Sequence, residues 1–118
     1  MLVVKTKLKE IEGRGIGLIA DQEIKKGQAT WIFNSIIDIK VLKKNITEEV
    51  KDFFDTYAID EGEDYLLLNA DNTRFTNHSK NPNTKAAGKN RNIAVKDIHI
   101  GEEITIDYDE IDVKGVAF

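Results

Sequence analysis

The chain has 118 residues, 41% of them apolar, which suffices for one hydrophobic core and excludes a second full domain. It holds no cysteine and two histidines, so disulfides, thiolate zinc sites and cysteine nucleophiles are excluded, and we expect no metal site. The formal net charge of −4 argues against a nucleic acid as a direct partner. We therefore predict a single domain over residues 1–118.

Charge is distributed unevenly along the chain. Residues 46–65 hold eight acidic residues against one lysine, and residues 97–118 hold seven against one lysine. Residues 80–96 lie between these blocks and hold five basic residues and no acidic one. The acidic blocks are typical of solvated faces of a domain, and the alternative is an acidic surface that attracts a basic peptide.

Apolar runs in the sequence are short. Residues 66–68 form one of the longest, and Lys5 directly follows the apolar start of the chain. A membrane-spanning helix needs about 20 apolar residues, and a signal peptide needs an apolar stretch of about 7–15. The sequence therefore predicts no membrane contact and a cytoplasmic location.

Short segments rich in β-branched and aromatic residues dominate the chain. Residues 13–17 include three glycines, each of which costs a helix about 1 kcal/mol relative to alanine. This stretch predicts a loop or tight hairpin where another group approaches the backbone closely. Strands are predicted at six places: residues 2–8, 29–33, 36–41, 65–68, 92–95 and 104–106.

One helix is predicted near the middle of the chain. Thr47 is a suitable N-cap residue, and Glu48 and Glu49 fall in the first turn, where the helix dipole favours negative charge. Apolar residues then recur at helical spacing, and we expect this stripe to pack in the core. The stripe consists of Val50, Phe53, Phe54 and Tyr57.

Residues 69–90 form the longest polar stretch and include Pro82, the only proline. Such a stretch buries little apolar surface, so in a compact domain it is an exposed loop or a functional one. Together with the predicted strands, it indicates a mostly β domain with one helix.

Four segments in this order resemble motifs of the SET-domain protein lysine methyltransferases. The third, with its Asn-His-Ser and Pro-Asn elements, is the most specific of the four, and glycine turns such as the first two are weak signals alone. Gln28 stands where the family usually has glutamate, a neutral change that we expect to cost little. The segments are RGIGLIA at 14–20, IKKGQ at 24–28, RFTNHSKNPN at 74–83 and GEEITIDY at 101–108.

The resemblance covers the chain from about residue 3 to residue 110. It implies the SET-domain (β-clip) fold, a mostly β architecture of several short sheets with one or two short helices and a knot-like C-terminal segment. It also implies methyl transfer from S-adenosylmethionine to the side-chain nitrogen of lysine in a histone or another basic protein. For a viral or effector protein of this kind, the host nucleus is the alternative to the cytoplasmic location.

The resemblance also assigns residues to the cofactor. Asn77 would hold its amino-acid end, the His78 backbone would meet the adenine, and Arg74 would stabilise the cofactor-side loop or pair with an acid. A plain β-turn is the alternative for the glycine motif, and a structural histidine is the alternative for His78. The residues whose backbone would line the methionine end are Arg14, Gly15, Ile16 and Gly17.

Tyr108 matches the catalytic tyrosine of the family, whose hydroxyl would orient the neutral lysine amine. The alternative is a tyrosine buried for packing. Tyr65 would line the lysine channel or cover the cofactor, and Phe75 would form the floor of the channel. The alternative for both residues is packing in the core. Ile106 occupies the channel position where the family often has Phe or Tyr, so the sequence leaves the number of methyl groups undetermined.

The chain lacks the cysteine-rich tail with which many family members close the lysine channel. Phe118 could fold over the site, a second subunit of a homodimer could close it, or the tail could be frayed. The alternative to an enzyme is a catalytically silent SET-fold module that binds a basic peptide. A β-rich domain whose motifs match by coincidence is the remaining alternative.

Overall fold

The computed structural model describes residues 1–112, and within this range the strands form four small sheets. No helix of this range is long and apolar enough to cross a membrane. One α-helix, α1 (Glu48–Tyr57), separates β4 from β5 in sequence. Short 3-10 helices cover Lys43–Asn45, Asn72–Phe75 and Tyr108–Glu110. The strands are β1 (Thr6–Ile11), β2 (Gly15–Ala20), β3 (Ala29–Ile32), β4 (Asp38–Leu42), β5 (Tyr65–Asn69), β6 (Asn77–His78), β7 (Thr84–Ala86), β8 (Arg91–Ala94) and β9 (Thr105–Ile106).

The sheets are small because most strands pair with a single neighbour. Strands β1 and β2 form an antiparallel hairpin, as do β4 and β5 around the α1 insertion. Strand β8 lies between β3 and β7, and β6 pairs with β9 in parallel. The predicted mostly β architecture of short sheets is therefore confirmed. The glycine-rich stretch forms the predicted hairpin, with Gly13 and Gly15 both at positive φ.

The hydrophobic core lies around β2. Leu18 in this strand and Ile98 in the segment before β9 are fully buried, and Ile24 bridges to Ile98 through reciprocal backbone hydrogen bonds of 2.9 and 2.8 Å. Burying each such side chain stabilises the fold by roughly 1.5–3 kcal/mol. The core cluster consists of Val4, Leu18, Ala20, Ile24, Ala94, Ile98 and Ile104.

Helix α1 begins at Glu48, after Thr47 as predicted, but the prediction that its apolar stripe packs in the core is wrong. None of its residues is buried, and Phe53 is 40% exposed. The stripe packs instead against the 3-10 helix at 72–75, where the rings of Tyr57 and Phe75 lie 6.2 Å apart. Helical periodicity identifies an apolar face, whereas the depth of burial depends on what covers that face.

Segment 77–84 encloses β9 on two sides. On one side β6 pairs with β9, and on the other side the Asn83 amide donates to the Glu103 carbonyl at 2.8 Å. The Asn83 side-chain oxygen accepts from the Thr105 N–H at 2.9 Å, and the Thr84 hydroxyl donates to the Thr105 carbonyl at 2.7 Å. A strand held inside a loop is the knot-like C-terminal arrangement that the resemblance implied.

Candidate active site

Parallel pairing of β6 and β9 assembles the candidate site. Asn77 lies opposite Thr105 and His78 opposite Ile106, so the Asn-His motif and the chain entering Tyr108 run side by side. The Ser79 N–H continues this ladder to the Ile106 carbonyl at 3.0 Å. Two segments that are remote in sequence therefore meet through backbone hydrogen bonds, which fix their register.

Tyr108 is held at both its backbone and its hydroxyl. The hydroxyl donates to the carbonyl of Thr76 at 2.5 Å, and the backbone N–H donates to Nδ1 of His78 at 3.0 Å. Burial raises the pKa of the Tyr108 phenol above its ordinary value of 10.0, and the negative charge of Glu103 acts in the same direction. The phenol is therefore neutral at physiological pH.

The imidazole of His78 positions Tyr108. Its Nδ1 accepts a hydrogen bond from the Tyr108 backbone, so this nitrogen carries no proton and the proton lies on Nε2. The two rings also contact each other, with centroids 5.3 Å apart. Asp107 lies beside them and accepts from the Asp109 N–H at 3.0 Å, a hydrogen bond that holds the turn after β9.

The glycine motif lies beside Asn77. The Asn77 amide donates to the Ile16 carbonyl at 3.2 Å and to Oε2 of Glu103 at 2.7 Å. The other oxygen of Glu103 accepts from the Arg14 guanidinium at 2.8 Å. Glu103 therefore joins the first motif to the third, a role that the sequence analysis missed. The available signal was the second glutamate of the Gly-Glu-Glu segment.

The two glycines of the motif face different surroundings. A Cβ atom on Gly17 would lie 2.7 Å from Oε2 of Glu103 and 2.8 Å from Cγ1 of Ile11. At Gly15, whose φ is +79°, a Cβ atom would meet nothing within 4 Å. Gly17 therefore makes room for a carboxylate of the protein itself, while the chain at Gly15 borders open space.

A cavity of about 340 Å³ reaches the candidate site from another direction. Tyr108, Thr76 and Ile106 line it, together with the core residues Leu18 and Ile104. The residues of the glycine motif at 14–17 and the Asn-His pair do not line it. Tyr108 therefore lies where this cavity meets the segment that carries Asn77.

Two of the residues predicted for the lysine channel lie outside this cavity. Tyr65 does not line it, but its hydroxyl donates to Glu61, a lining residue, at 3.0 Å. Burial raises the pKa of the Tyr65 phenol, and Glu61 adds to this effect. Phe75 packs against Tyr57, which does line the cavity. Phe118 lies outside the described residues, so its predicted role in closing the site stays a prediction.

Arg74 lines the cavity and is held by aromatic rings. Its guanidinium carbon lies 5.9, 5.4 and 5.2 Å from the ring centres of Phe53, Tyr57 and Phe75. These distances are typical of cation–π contacts. Its Nε atom is buried and makes no hydrogen bond within residues 1–112. The structure thus links Arg74 to the helix α1 surface.

The cavity lining is rich in acidic side chains. These residues come from the two acidic blocks of the sequence, and the lining also includes two basic residues, Lys89 and Arg74. Tyr108 lies in the same lining. The acidic lining residues are Asp55, Glu61, Asp109, Glu110 and Asp112.

Comparison with known proteins identifies the family. The sequence model of the SET domain matches residues 15–109, more than half of the chain, and the chain therefore belongs to the SET-domain family. Members of this family are generally protein lysine methyltransferases.

Structural comparison shows the same fold. A crystal structure of a candidate histone methyltransferase from Plasmodium falciparum is 24% identical, with a TM-score of 0.65. The match covers 89% of this chain and 93% of that one. At this identity the likeness concerns the fold alone. No curated protein sequence matches the chain significantly.

Proposed function

We propose that this protein is an S-adenosylmethionine-dependent protein lysine N-methyltransferase. The observation that carries the proposal is that Tyr108 is anchored to the residues on both sides of Asn77. The Tyr108 hydroxyl donates to Thr76 and its backbone donates to His78, the two neighbours of Asn77 in the chain. A tyrosine hydroxyl and the Asn-His motif are thereby held together in a SET domain, with a cavity reaching the tyrosine from a second side.

The residues beside the glycine motif fit the amino-acid end of the cofactor. That end carries an ammonium and a carboxylate. Arg14 of the motif is a cation, and Glu103, 2.8 Å away, is an anion. The Arg14 side chain is 47% exposed and that of Glu103 is 17% exposed. We propose that residues 14–17 and Asn77 hold this end and that the His78 backbone meets the adenine. When bound, S-adenosylmethionine supplies an activated methyl group on a sulfonium.

Tyr108 would orient the substrate amine. Its hydroxyl gives its one hydrogen to the Thr76 carbonyl, so the phenol oxygen remains an acceptor. A lysine amine that donates to this oxygen would turn its lone pair away from Tyr108. A free lysine is charged up to a pKa of about 10.4, and an apolar channel disfavours the ammonium form. Ile104 and Ile106 supply the apolar part of that channel.

The charge of the cavity supports a basic substrate. Five acidic residues and two basic ones line it, and Asp55, Asp109 and Lys89 among them form ion pairs with residues outside the lining. The other lining charges are three acidic residues and Arg74, and this negative balance attracts lysine-rich segments. We therefore propose that the substrate is a histone or another basic protein. The same acidic lining would also serve a silent module that binds a basic peptide without modifying it, which is the second candidate function.

Calorimetry and methyl transfer distinguish these functions. We expect S-adenosylhomocysteine to bind the purified protein with a micromolar or lower dissociation constant. We also expect a labelled methyl donor to modify lysines of core histones or of a lysine-rich protein mixture, with the sites identified by mass spectrometry. Absence of binding at high micromolar S-adenosylhomocysteine would contradict both functions. Binding of a basic peptide without methyl incorporation would support the silent module.

A further inference from the structure

Glu103 occupies a position between two groups assigned to the cofactor. Its two carboxylate oxygens are divided between Arg14, at 2.8 Å, and the Asn77 amide, at 2.7 Å. The side chain is only 17% exposed, and Gly17 leaves the space that it fills. The carboxylate therefore has a fixed position, because each of its oxygens accepts a hydrogen bond from the protein.

Asn77 alone does not satisfy the donors of a ligand ammonium. Both hydrogens of its amide have acceptors within the protein, Oε2 of Glu103 and the Ile16 carbonyl. The amide nitrogen therefore has no hydrogen left to donate to a ligand, and the carbonyl oxygen is the one acceptor that the side chain offers. An ammonium carries three N–H donors and a full positive charge, and Glu103 is the carboxylate hydrogen-bonded to Asn77. The charge of Glu103 also reaches Tyr108, since it contributes to the raised pKa of that phenol.

We propose that Glu103 is the anionic group of the cofactor cradle and binds the α-ammonium of the cofactor's amino-acid end. The proposal rests on the proposed function and adds a residue to it. Arg14 is the matching cation for the α-carboxylate, so the ion pair seen here is complementary to a bound zwitterion. Each charge of the pair would then gain an opposite charge from the ligand without losing the geometry that Asn77 and Gly17 impose.

The adjacent Glu102 provides a matched control. One of its oxygens accepts the His99 N–H at 2.9 Å and thereby closes the turn before β9. Glu102 therefore has the same charge as Glu103 at the neighbouring position, and its side chain binds within that turn. If net charge alone determines affinity, replacing either glutamate by glutamine should weaken binding. If Glu103 binds the ammonium directly, only the replacement of Glu103 should do so.

The test compares two ligands by calorimetry, S-adenosylhomocysteine and its analogue without the α-amino group. For the wild type we expect roughly 10- to 100-fold weaker binding of the analogue, because a charge-assisted hydrogen bond is lost. For Glu103→Gln we expect weaker S-adenosylhomocysteine binding and nearly equal affinity for the two ligands. For Glu102→Gln we expect the wild-type ratio.

The outcomes separate this proposal from the function on which it rests. Wild-type protein that binds neither ligand would overturn the proposed function and the role of Glu103 together. Wild-type protein that binds both, with an unchanged ratio in Glu103→Gln, would overturn only the role of Glu103. If Glu103→Gln fails to fold, Glu103→Asp retains the charge on a shorter side chain. We expect it to prefer the amino-bearing ligand, and equal affinity for both ligands would contradict the proposal.

Discussion

The imidazole of His78 accepts a hydrogen bond from the backbone N–H of Tyr108, with 3.0 Å between the nitrogens. The tyrosine hydroxyl, at the other end of the same residue, donates to Thr76. One short segment of the Asn-His motif thus holds both ends of the proposed catalytic tyrosine. The position of Tyr108 therefore depends on the side chain of His78. The family resemblance assigns the backbone of the same residue to the cofactor.

Replacing His78 by alanine removes the acceptor for the Tyr108 N–H. We expect the free energy of unfolding to fall by about 1–3 kcal/mol, because a partly buried donor loses its partner. His78→Asn places an oxygen near the former Nδ1 and should recover much of this loss. Urea denaturation of the three proteins measures the effect, and equal stability of the alanine and asparagine variants would show that the hydrogen bond contributes nothing.

Tyr108→Phe removes the hydroxyl and retains the ring. If this oxygen orients the substrate amine, kcat should fall roughly 100-fold, which is the order of effect seen when one preorganised polar group is removed from an active site. Binding of S-adenosylhomocysteine should persist, because the glycine motif and Asn77 are unchanged. Labelled methyl incorporation and calorimetry measure the two quantities. Wild-type turnover in this variant would remove Tyr108 from the catalytic role.

The sequence predicted the fold and the motif residues, because turns and short strands leave local signals. Three glycines at 13–17 indicated a hairpin, and the Asn-His and Gly-Glu-Glu motifs indicated the family. The Gly-Glu-Glu segment marks Glu103 as a motif residue but does not show its partners, since Arg14 and Asn77 are 89 and 26 residues away. The α1 stripe was misjudged for a related reason, because periodicity shows which face is apolar and not which surface covers it.

The pair of His99 and Glu23 makes stability depend on pH. The hydrogen bond between His99 Nδ1 and Glu23, at 2.7 Å, is the main cause that raises the pKa of His99 above 6.5 and lowers that of Glu23 below 4.5. Glu102 and Asp97 also raise the pKa of His99. The contribution of His99 is complete below pH 6.5 and is lost as the pH rises through its raised pKa.

The contribution of Glu23 is complete above pH 4.5 and is lost as the pH falls through its lowered pKa. Between these values the pair is fully charged. We therefore expect the difference in Tm between the wild type and His99→Gln to be largest between pH 4.5 and 6.5 and to shrink on either side. Glu23→Gln should show the same profile. A difference that does not vary with pH would exclude the charged pair as its cause.

Alanine at the two motif glycines should destabilise the protein for different reasons. At Gly17 the new methyl group meets Glu103 and Ile11, and overpacking of this kind costs about 1–3 kcal/mol. At Gly15 there is space, and the cost of about 1–2 kcal/mol comes from the positive φ. Double mutants with Glu103→Ala separate the causes, since truncation should relieve part of the Gly17→Ala penalty and leave that of Gly15→Ala unchanged. If the loss of stability in each double mutant equals the sum of the losses in the two single mutants, Glu103 is not the reason why position 17 requires glycine.

The Asn83 side chain makes hydrogen bonds to the backbone at β9, as a neighbouring strand would. The carboxamide accepts from the Thr105 N–H at 2.9 Å and donates to the Glu103 carbonyl at 2.8 Å, and the residue is 6% exposed. Asn83→Ala leaves both backbone groups without these partners, so we expect a loss of about 2–4 kcal/mol in urea denaturation. Asn81→Ala, at an exposed position of the same loop, should change stability by less than about 0.5 kcal/mol. Similar stabilities for the two variants would mean that β6 alone suffices to hold β9 beside the Asn-His motif.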